Sequence, residues 1–321
     1  MQCLLRFGLL YLACASCAAL AQQYPARAIR VLIPFTAGSA ADIIARAMEP
    51  QMREKLGQGF VIDNRGGAGG NIAAEMTAKS APDGYTVMMG TIGTHAINYS
   101  LYSKLPYHPQ RDFTPIALVG DSPNILVINP YVPAKSIKEL IALAKARPGQ
   151  LNYGSSGAGT SVHLSAELFS SMAGVKMVHV PFKGATEALT ALLAGQLDLM
   201  FASLSSAIPL VKAGRLRAFA VTGAQRSPSI PDLPTMSEAA LPGYAAAAWY
   251  GLLGPAGMPP NTVTTLSAAA LAALQTQEVK DRLFASGVEV HPGAPEQFAQ
   301  LIDSEIKKWA KVVKDSGAKV D

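Results

Sequence analysis

Cysteine is almost absent from this sequence. The chain of 321 residues contains three cysteines, and all of them lie close to the amino terminus, at Cys3, Cys14 and Cys17. If that segment is removed as a leader, the remaining chain contains no cysteine at all. Disulfides, cysteine-ligated zinc sites and thiol nucleophiles are then excluded from the mature protein.

Charge is also scarce. Charged residues make up 15% of the chain, compared with about 25% in an average globular protein. The formal net charge is +5, but Lys and Arg form no cluster of the kind that follows a nucleic-acid backbone. We therefore expect no nucleic-acid partner, whereas a mildly positive field favours anionic ligands. Because half of the residues are hydrophobic, the chain is able to bury a large core, and intrinsic disorder is excluded.

A long uninterrupted hydrophobic run occurs only at the amino terminus. An apolar run from Phe7 to Leu20 follows one positive charge, and Ala19-Leu20-Ala21 matches a cleavage site. The pattern predicts a signal peptide over residues 1–21, cleaved near Ala21, and export to a bacterial periplasm. A lipoprotein anchored through a leader cysteine is the weaker alternative. The uncharged stretch Ala239–Gln277 is broken by prolines, so we predict no membrane span there.

Apolar segments of strand length alternate with segments of helical period along most of the chain. This order predicts an α/β fold with parallel strands that are covered by helices on both faces. The first series predicts strands Ile29–Phe35, Phe60–Asn64 and Thr86–Gly90, with helices Ser39–Leu56 and Asn71–Ser80. The second series predicts strands Leu151–Gly154, Met177–Pro181, Leu197–Phe201 and Leu216–Thr222. The helices that it predicts are Ser136–Ala146, Thr160–Ala173, Ala185–Ala194 and Ser205–Ala213.

Two segments are predicted to cross between lobes. Ile116–Asn129 is apolar and extended, and Val221–Pro234 is interrupted by three prolines. Two crossings make the first domain discontinuous, with lobe 1 at 22–122 and 230–321 and an inserted lobe 2 at 123–229. Near the carboxyl terminus, an amphipathic helix is expected to dock on the folded body. Its apolar stripe comprises Phe298, Leu301, Ile302, Ile306, Trp309, Val312 and Val313.

Glycine and hydroxyl residues are concentrated at the junctions that follow the predicted strands. The first turn of a helix leaves N–H groups unpaired and carries partial positive charge, so such junctions attract anions. Glycine allows close approach to the backbone, and Ser or Thr adds a hydroxyl donor. Several such junctions at the carboxyl ends of parallel strands would hold a carboxylate without arginine and without a proton-transfer group. The candidate ligand-binding residues are Phe35, Ala37, Gly38, Ser39, Asp42, Thr91, Gly93, Thr94, His95, Ser155, Ser156, Thr160, His163, Lys183, Gly184 and Ser203.

Several of these candidates also have a purely structural interpretation. Ser39 and Asp42 match a capping box, so Asp42 either closes the first turn of its helix or orients ligand and water. Thr160 is an ordinary N-cap candidate. His95 and His163 follow hydroxyl-rich turns, but a lone histidine at a helix start is more often structural than ligand-binding.

Two further features near the junctions leave alternatives open. Lys183, and Arg65 after the second strand, either pair with a ligand carboxylate or are simply exposed bases. The run Gly66–Gly70 lacks the Gly-Lys-Ser/Thr ending of a phosphate loop, and Ile72 breaks the G-x-G-x-x-G pattern. We interpret the run as a tight turn that lets the next helix pack close to the sheet, with no nucleotide implied.

Short motifs occur in a fixed order along the whole mature chain. They are Tyr24-Pro25-Ala26-Arg27-Ala28-Ile29-Arg30, Pro34-Phe35-Thr36-Ala37-Gly38 with Asp42, Glu75, Ala81-Pro82-Asp83-Gly84-Tyr85, Gly93-Thr94-His95, Asn152-Tyr153-Gly154-Ser155-Ser156-Gly157, Thr160, His163-Leu164, Val180-Pro181-Phe182-Lys183-Gly184, Leu241-Pro242-Gly243-Tyr244 and Trp309. This series resembles the Bug-type receptors, which are the periplasmic solute-binding proteins of tripartite tricarboxylate transporters.

The resemblance implies a periplasmic-binding-protein fold of type II, in which two α/β lobes joined by a hinge close on a ligand between them. It also implies a small carboxylate ligand: a di- or tricarboxylate, an acidic amino acid or an aromatic acid. Such a ligand is held largely by loop backbone groups, hydroxyls and ordered water. Ser39 and Ala40-Ala41 depart from the family pattern, in which a second glycine and a hydroxyl residue are common, so the ligand stays open.

The leading hypothesis is a non-enzymatic periplasmic receptor that captures a small carboxylate and delivers it to the membrane permease of a tripartite tricarboxylate transporter. We expect a monomer without cofactor, metal or catalytic residues. One alternative is a secreted hydrolase or lyase that uses the same cleft, although no G-x-S-x-G or H-E-x-x-H motif occurs. Another is an orphan receptor for a sensor kinase, which the sequence does not distinguish from a transport receptor.

Overall fold

The computed structural model describes residues 24–182, 184–316 and 320. The predicted leader at 1–21 and the candidate Lys183 lie outside the described residues. The strands are β1 (Ile29–Ile33), β2 (Phe60–Asn64), β3 (Thr86–Thr91), β4 (Phe113–Ile128), β5 (Asn152–Ser155), β6 (Val178–Pro181), β7 (Leu199–Ser203), β8 (Arg217–Val221), β9 (Ala247–Pro255) and β10 (Glu289–Gly293). The helices are α1 (Ala40–Leu56), α2 (Asn71–Ala78), α3 (Asn98–Leu101), α4 (Ile137–Ala146), α5 (Ser161–Ala173), α6 (Ala185–Leu193), α7 (Leu204–Lys212), α8 (Met236–Ala239), α9 (Pro260–Gln275), α10 (Gln277–Ala285) and α11 (Pro295–Ser316).

One 3₁₀ turn and one π-helical segment complete the architecture. A 3₁₀ turn at Ala68–Gly70 leads into α2, and a π-helical segment at Gly93–Ile97 leads into α3. The strands and helices predicted from the two series are confirmed, with bounds that differ by at most two residues. Among the helices of the described chain, none combines the length and the apolar content that a membrane crossing requires.

The first sheet has the strand order β2-β1-β3-β9-β4, and β10 pairs with the free edge of β4. The first three strands are parallel, as predicted. Strands β9 and β10, which lie outside this first series, pair antiparallel with their neighbours. Strand β9 enters the sheet after the chain has passed through the other half of the molecule, and β10 follows it through α9 and α10 and runs in the same direction.

The second sheet has the order β6-β5-β7-β4, and β8 pairs with the other edge of β4. Here β5, β6 and β7 are parallel, whereas β4 and β8 are antiparallel to each other, and β4 is also antiparallel to β7. In both sheets the parallel strands are therefore the ones whose following loops carry the candidate residues.

Strand β4 belongs to both sheets. Its residues from Phe113 to Pro123 pair with β9, and those from Asn124 to Ile128 pair with β7 and β8. The chain returns beside this point, where the Asn124 amide donates to the Thr222 hydroxyl at 2.8 Å. The Thr222 carbonyl in turn accepts from the Ala246 amide at 2.8 Å. The two passages between the sheets thus lie side by side and are hydrogen-bonded to each other.

The predicted lobe boundaries at 122/123 and 229/230 stay a prediction. The first lies where β4 changes partners, within the apolar, extended segment that the sequence marks as a crossing. After β8, Ile230 and Leu233 pack against the apolar cluster of the second sheet. The Val221 amide also donates to the Pro234 carbonyl at 2.9 Å, so the chain follows the second sheet for some distance before it returns.

Helix α11 docks on the folded body, as its apolar stripe predicts. Phe298, Ile302, Trp309, Val312 and Val313 are all buried. The helix packs against α3 and the π-helical segment of the first half, and also against α5 of the second half. The carboxyl-terminal helix therefore contacts both parts of the molecule.

The glycine run before α2 forms a tight turn, in agreement with the sequence interpretation. Gly70 has φ +92°, and a Cβ atom there would lie 2.7 Å from Thr94 Cγ2 and 2.9 Å from Pro34 Cβ. The turn has no room for a side chain because it is wedged between the loops that follow β1 and β3. Glycine at this position is required both by the backbone conformation and by the close approach of its neighbours.

We predict that Gly70→Ala lowers the free energy of unfolding by about 2–5 kcal/mol, since a left-handed backbone costs about 1–2 and overpacking about 1–3. Gly149→Ala is the matched control, because Gly149 has φ +72° but nothing within 4 Å of a Cβ. The control should lose only the backbone part, about 1–2 kcal/mol. Urea denaturation of both variants measures the difference, and equal losses would contradict the packing argument.

Candidate ligand-binding site

The loops that follow the parallel strands of the first sheet contact one another. We call them the β1 loop (34–39), the β2 loop (65–70) and the β3 loop (92–97). A Cβ on Gly66 would lie 3.6 Å from the backbone nitrogen of Thr36, which places the β2 loop against the β1 loop. Gly70 contacts Pro34 and Thr94 in the same way, so all three loops meet at one edge of the sheet.

The β5 loop (156–160) of the second sheet reaches across to this edge. A Cβ on Gly93 would lie 3.2 Å from the Gly159 carbonyl oxygen, and one on Gly69 would lie 3.4 Å from the Ala158 carbonyl oxygen. Gly159 itself packs against the side chain of Asn98. Loops from the two sheets are therefore in contact, as expected if both border one ligand site.

The β6 loop follows β6, and its described residues are Phe182 and Gly184. It lies beside the end of β5. The Phe182 amide donates to the Ser155 carbonyl at 3.0 Å, and Gly184 immediately precedes α6. Ser203 lies apart from these contacts. It is the last residue of β7 and precedes α7, and its hydroxyl is 2.6 Å from that of Ser206 in the first turn of α7.

Asp42 is engaged within its own helix start. Its Oδ2 accepts from the Gly38 amide at 2.9 Å, and both carboxylate oxygens accept from Arg46 Nε at 3.0 Å. Although burial by itself raises the pKa of Asp42, the Arg46 and Gly38 hydrogen bonds hold it below its ordinary value. Ser39 caps α1 by accepting from the Asp42 amide. The Ser39 half of the predicted capping box is formed, whereas the Asp42 carboxylate accepts from the Gly38 amide rather than from that of Ser39. Asp42 thereby shapes the exposed β1 loop that includes Ala37 and Gly38.

The side chain of Thr94 links the β3 loop back to the end of β3. Its hydroxyl accepts from the Thr91 amide at 3.0 Å, donates to the Thr91 carbonyl at 3.1 Å and lies 2.8 Å from His95 Nδ1. The His95 ring is fully buried, and its centroid lies 4.5 Å from that of Phe113. Burial lowers the pKa of His95 to about 3. The side chains of Thr94 and His95 therefore stabilise the loop from the core side, which favours the structural interpretation of His95.

The β5 loop rests on two stacked histidines. The ring centroids of His163 and His179 are 4.0 Å apart. His163 Nδ1 accepts from the Gly159 amide at 3.3 Å, and His179 Nε2 lies 2.6 Å from the Ser155 hydroxyl, which accepts from the Gly157 amide. A neutral His163 must therefore carry its proton on Nε2. The two imidazoles support the loop from below, and His163 is a positioning residue at this place.

Burial keeps both imidazoles neutral. It lowers the pKa of His163 to about 3, with a smaller contribution from His179, and lowers the pKa of His179 to about 4. Below the pair, the Tyr153 hydroxyl donates to Glu167, whose pKa is raised by burial. Glu167 Oε1 is 3.8 Å from His163 Nε2. The side chains of Tyr153, Glu167, His163 and His179 therefore form a polar cluster beneath the β5 loop.

Ser156 and Thr160 differ in the use of their hydroxyls. Thr160 is the N-cap of α5, as predicted, and its hydroxyl donates to the Gly157 carbonyl at 2.7 Å. Ser156 is half-buried, and within the described part of the chain its hydroxyl makes no hydrogen bond. Ser156 is thus the hydroxyl of this loop that is free to bind a ligand.

Sequence reasoning missed a buried amide network between the β2 and β3 loops. Asn98 Nδ2 donates to the Gly69 carbonyl at 3.1 Å and to Asn71 Oδ1 at 2.6 Å, and the Tyr107 hydroxyl also donates to Asn71 Oδ1 at 2.8 Å. The Asn98 Oδ1 atom is buried without a partner, and Gly159 lies beside it. No local motif marks Asn98, because its role depends on loops that are distant in the chain.

The described arginines near these loops already donate to carboxylates, and Asp63 accepts from both Arg30 and Arg65. Arg46 is paired with Asp42, and Arg65 donates to both oxygens of Asp63, at 2.8 Å and 3.1 Å. The option that Arg65 pairs with a ligand carboxylate is therefore not favoured by this geometry. The other described donors at the loop junction are neutral amides and hydroxyls.

Potential metal ligands come together elsewhere in the fold. Asp121, Glu289 and His291 each offer one ligand atom, and these atoms all lie within 4.8 Å of one another. They lie on β4 and β10, away from the strand-end loops of the candidate ligand site.

Comparison with known proteins places the chain among periplasmic receptors. Residues 44–318 match the family described as "Tripartite tricarboxylate transporter family receptor". The protein BugT of Bordetella pertussis is 36% identical over 301 residues, which cover 94% of this chain and 92% of BugT.

Two solved structures are similar over nine-tenths of the chain. R. palustris Rpa4515 with adipate is 40% identical, with a TM-score of 0.86, and the match covers 92% of this chain and 100% of that one. MatC from Rhodopseudomonas palustris with bound malate is 37% identical, with a TM-score of 0.82, and covers 90% and 100%. The likeness confirms the predicted fold, with two α/β lobes of a periplasmic solute-binding protein.

We predict that the stacked histidines make stability fall in mild acid. The unfolded chain binds protons on histidine below about pH 6.5, whereas folded His163 stays neutral until about pH 3. The free energy of unfolding therefore decreases as the pH falls through this window. His163→Asn keeps an acceptor for the Gly159 amide but does not titrate, so its slope should be smaller by about 1.4 kcal/mol per pH unit.

Urea denaturation between pH 7.5 and 5 measures this slope. Above pH 7 the free energies of unfolding of the parent and of His163→Asn should change with pH in the same way. Neither the histidine nor the asparagine binds a proton there. His108→Asn is the matched control, because His108 Nδ1 also accepts backbone amides, from Gln110 and Arg111, but in a partly exposed loop. Equal slopes for the parent and His163→Asn below pH 6.5 would show that burial of His163 is not linked to stability.

Proposed function

This chain belongs to the tripartite tricarboxylate transporter family receptors, and on that premise we propose that it captures a small dicarboxylate in the periplasm and delivers it to a membrane permease. The family and its structural relatives are substrate-binding receptors, so the chain is a receptor and not an enzyme. The ligand, the place of binding and the delivery step are the proposed parts.

The observation that carries the proposal is the contact between strand-end loops of the two sheets. The β3 loop meets the β5 loop at Gly93 and Gly159, and the β2 loop meets it at Gly69 and Ala158. Loops at the carboxyl ends of parallel strands point helix N-termini and backbone amides toward the same region. A ligand bound there would contact both lobes, which is what a receptor that closes on its ligand requires.

The chemistry of the junction favours carboxylates held by neutral donors. Arg46 is bonded to Asp42, and Arg65 shares Asp63 with Arg30, so these guanidinium groups already have hydrogen-bond partners within the chain. The amides of the glycine-rich loops and the Ser156 hydroxyl supply hydrogen bonds instead. Hydrogen bonds to an ionised acceptor are stronger than neutral ones, so a few such donors suffice to bind a carboxylate.

A dicarboxylate fits a site that has two sides. Donors of the first sheet come from the β1 and β3 loops, and those of the second come from the β5 and β6 loops. One carboxylate on each side would link the lobes, and the ligand then stabilises the closed state because it binds that state better than the open one. Rpa4515 with adipate and MatC with malate are relatives that hold ligands of this class.

We predict that a linear dicarboxylate stabilises the protein against thermal unfolding. A ligand present at a hundred times its Kd adds about 2.7 kcal/mol to the free energy of unfolding. Thermal-shift and calorimetric titrations with adipate, malate, succinate, citrate, glutamate and benzoate measure this effect. We expect the largest shift with a dicarboxylate and a smaller one with benzoate, which carries a single carboxylate.

Two results would contradict this assignment. Absence of a shift with every acid in the panel would exclude a carboxylate receptor, and a preference for benzoate would exclude a site that holds two carboxylates. Delivery is tested separately, by uptake of labelled ligand in cells with and without the gene. Equal uptake in both would leave a binding protein that does not serve transport of that acid.

We predict that Ser156→Ala weakens dicarboxylate binding without destabilising the fold. Loss of one hydrogen bond to a charged carboxylate costs about 1.5–3 kcal/mol, or about 10- to 150-fold in Kd. Because the Ser156 hydroxyl has no partner within the described chain, the free energy of unfolding without ligand should stay unchanged. Ser171→Ala makes the same change at an exposed position of α5 and should alter neither quantity. Calorimetry and urea denaturation measure both, and an unchanged Kd for Ser156→Ala would remove Ser156 from the site.

A further inference from the structure

A row of polar side chains crosses the first sheet where β4 pairs with both β9 and β10. Asp121 of β4 lies directly opposite Glu289 of β10 on one side and opposite Trp249 of β9 on the other. Residues that are directly opposite on antiparallel strands project from the same face of the sheet. Two carboxylates in this arrangement repel each other, so the pair needs a compensating positive charge.

His291 brings a third potential ligand to the two carboxylates. It follows Glu289 by two positions, at a register shift between Val290 and Gly293. Its Nε2 lies 3.8 Å from Glu289 Oε2, and the ligand atoms of Asp121, Glu289 and His291 all lie within 4.8 Å of one another. The His291 side chain is 61% exposed, which leaves it free to turn toward the carboxylates.

Two buried polar atoms of this row lack hydrogen-bond partners. Glu289 Oε1 and Trp249 Nε1 are both buried and unpartnered, and Trp249 as a whole is only 4% exposed. Both residues line a cavity of about 350 Å³ together with Asp121 and His291. A buried carboxylate oxygen without a partner costs free energy, so this atom points to a ligand that is electropositive.

The remaining charged groups of the cavity do not provide that ligand. Lys308 of α11 lines the cavity, but its ammonium is bonded to Glu305 Oε1 at 3.1 Å. The second oxygen of Glu305 accepts from Trp309 Nε1 at 2.8 Å. The cavity therefore holds three carboxylates against one lysine and one histidine, and Lys308 is engaged with one of the three.

We propose that Asp121, Glu289 and His291 form a binding site for a divalent cation of the zinc class. Zn²⁺ is bound in proteins by imidazole nitrogen and by carboxylate oxygen, and an exposed side leaves a fourth position for water. A tetrahedral ion with bonds of about 2.1 Å spaces its ligand atoms about 3.4 Å apart. A small inward turn of the three side chains would reach this spacing. Mg²⁺ is a poorer fit, since it prefers oxygen ligands alone.

The location gives the ion a structural role. It would join β4 to β10 just before β4 passes into the second sheet at Pro123 and Asn124. The same cavity is lined by Pro123, Gly223 and Ala246, which lie at or next to the two passages between the sheets. Occupancy would therefore stabilise the folded chain where the lobes are connected, independently of the dicarboxylate.

The test is calorimetric titration of the protein without the predicted leader at 1–21, whose cysteines would also bind Zn²⁺. The protein is stripped with EDTA, freed of the chelator, and titrated with ZnCl₂ and separately with MgCl₂ at pH 7.5. We expect one Zn²⁺ per chain and Mg²⁺ binding that is at least tenfold weaker. Asp121→Asn, Glu289→Gln and His291→Gln should each weaken Zn²⁺ binding at least tenfold, which is what even a residue that only supports a ligand can cost. His108→Gln, which removes a histidine from another loop, should bind Zn²⁺ like the parent.

A second measurement separates loss of the site from loss of the fold. In EDTA, Asp121→Asn should be at least as stable as the parent, because the substitution removes one of two opposed charges. Zn²⁺ should raise the Tm of the parent and not that of Asp121→Asn. Substoichiometric Zn²⁺ binding by the parent would overturn the proposal, and so would binding that all three substitutions leave unchanged.

Discussion

The backbone of β4 supplies hydrogen bonds to both sheets, and the placement of the two halves of the molecule depends on this single strand. From Phe113 to Pro123 it pairs in the first sheet, and from Asn124 to Ile128 it pairs in the second. The return of the chain is bonded to the same point through Thr222. Because both passages lie together, the carboxyl ends of the parallel strands face each other and their loops meet.

The loop junction that results is built from close backbone contacts rather than from charged side chains. Gly93 of the β3 loop and Gly69 of the β2 loop lie against the β5 loop, where a Cβ atom would be 3.2 Å and 3.4 Å from a carbonyl oxygen. The residues with ionisable groups lie behind the loops and support them: Asp42 holds the β1 loop, His95 fills the core beneath the β3 loop, and His163 carries the β5 loop. The buried imidazoles of His95 and His163 therefore lie behind the backbone of the β3 and β5 loops.

Charge is crowded instead along β4 and β10. Asp121 and Glu289 face each other across the strand pair, and burial together with the Glu289 charge raises the pKa of Asp121, although His291 acts in the opposite direction. The contrast with the neutral loop junction is physical. A carboxylate ligand is repelled by carboxylates and attracted by amides, whereas a metal cation requires the reverse, so the two proposed sites lie in different parts of the fold.

The sequence alone determined the features that depend on neighbouring residues. Strand and helix periods, the N-caps Ser39 and Thr160, the apolar stripe that buries Trp309 and the tight turn at Gly66–Gly70 could all be read from it, because local backbone preference and side-chain spacing set them. Only the tertiary structure decided that β9 and β10 run antiparallel to β4, that His95 lies in the core, that Asn98 links two loops, and that Asp121 meets Glu289. These features arise from contacts between segments that are far apart in the chain, and the pattern of one segment does not specify which other segment will pack against it or how much water that packing removes.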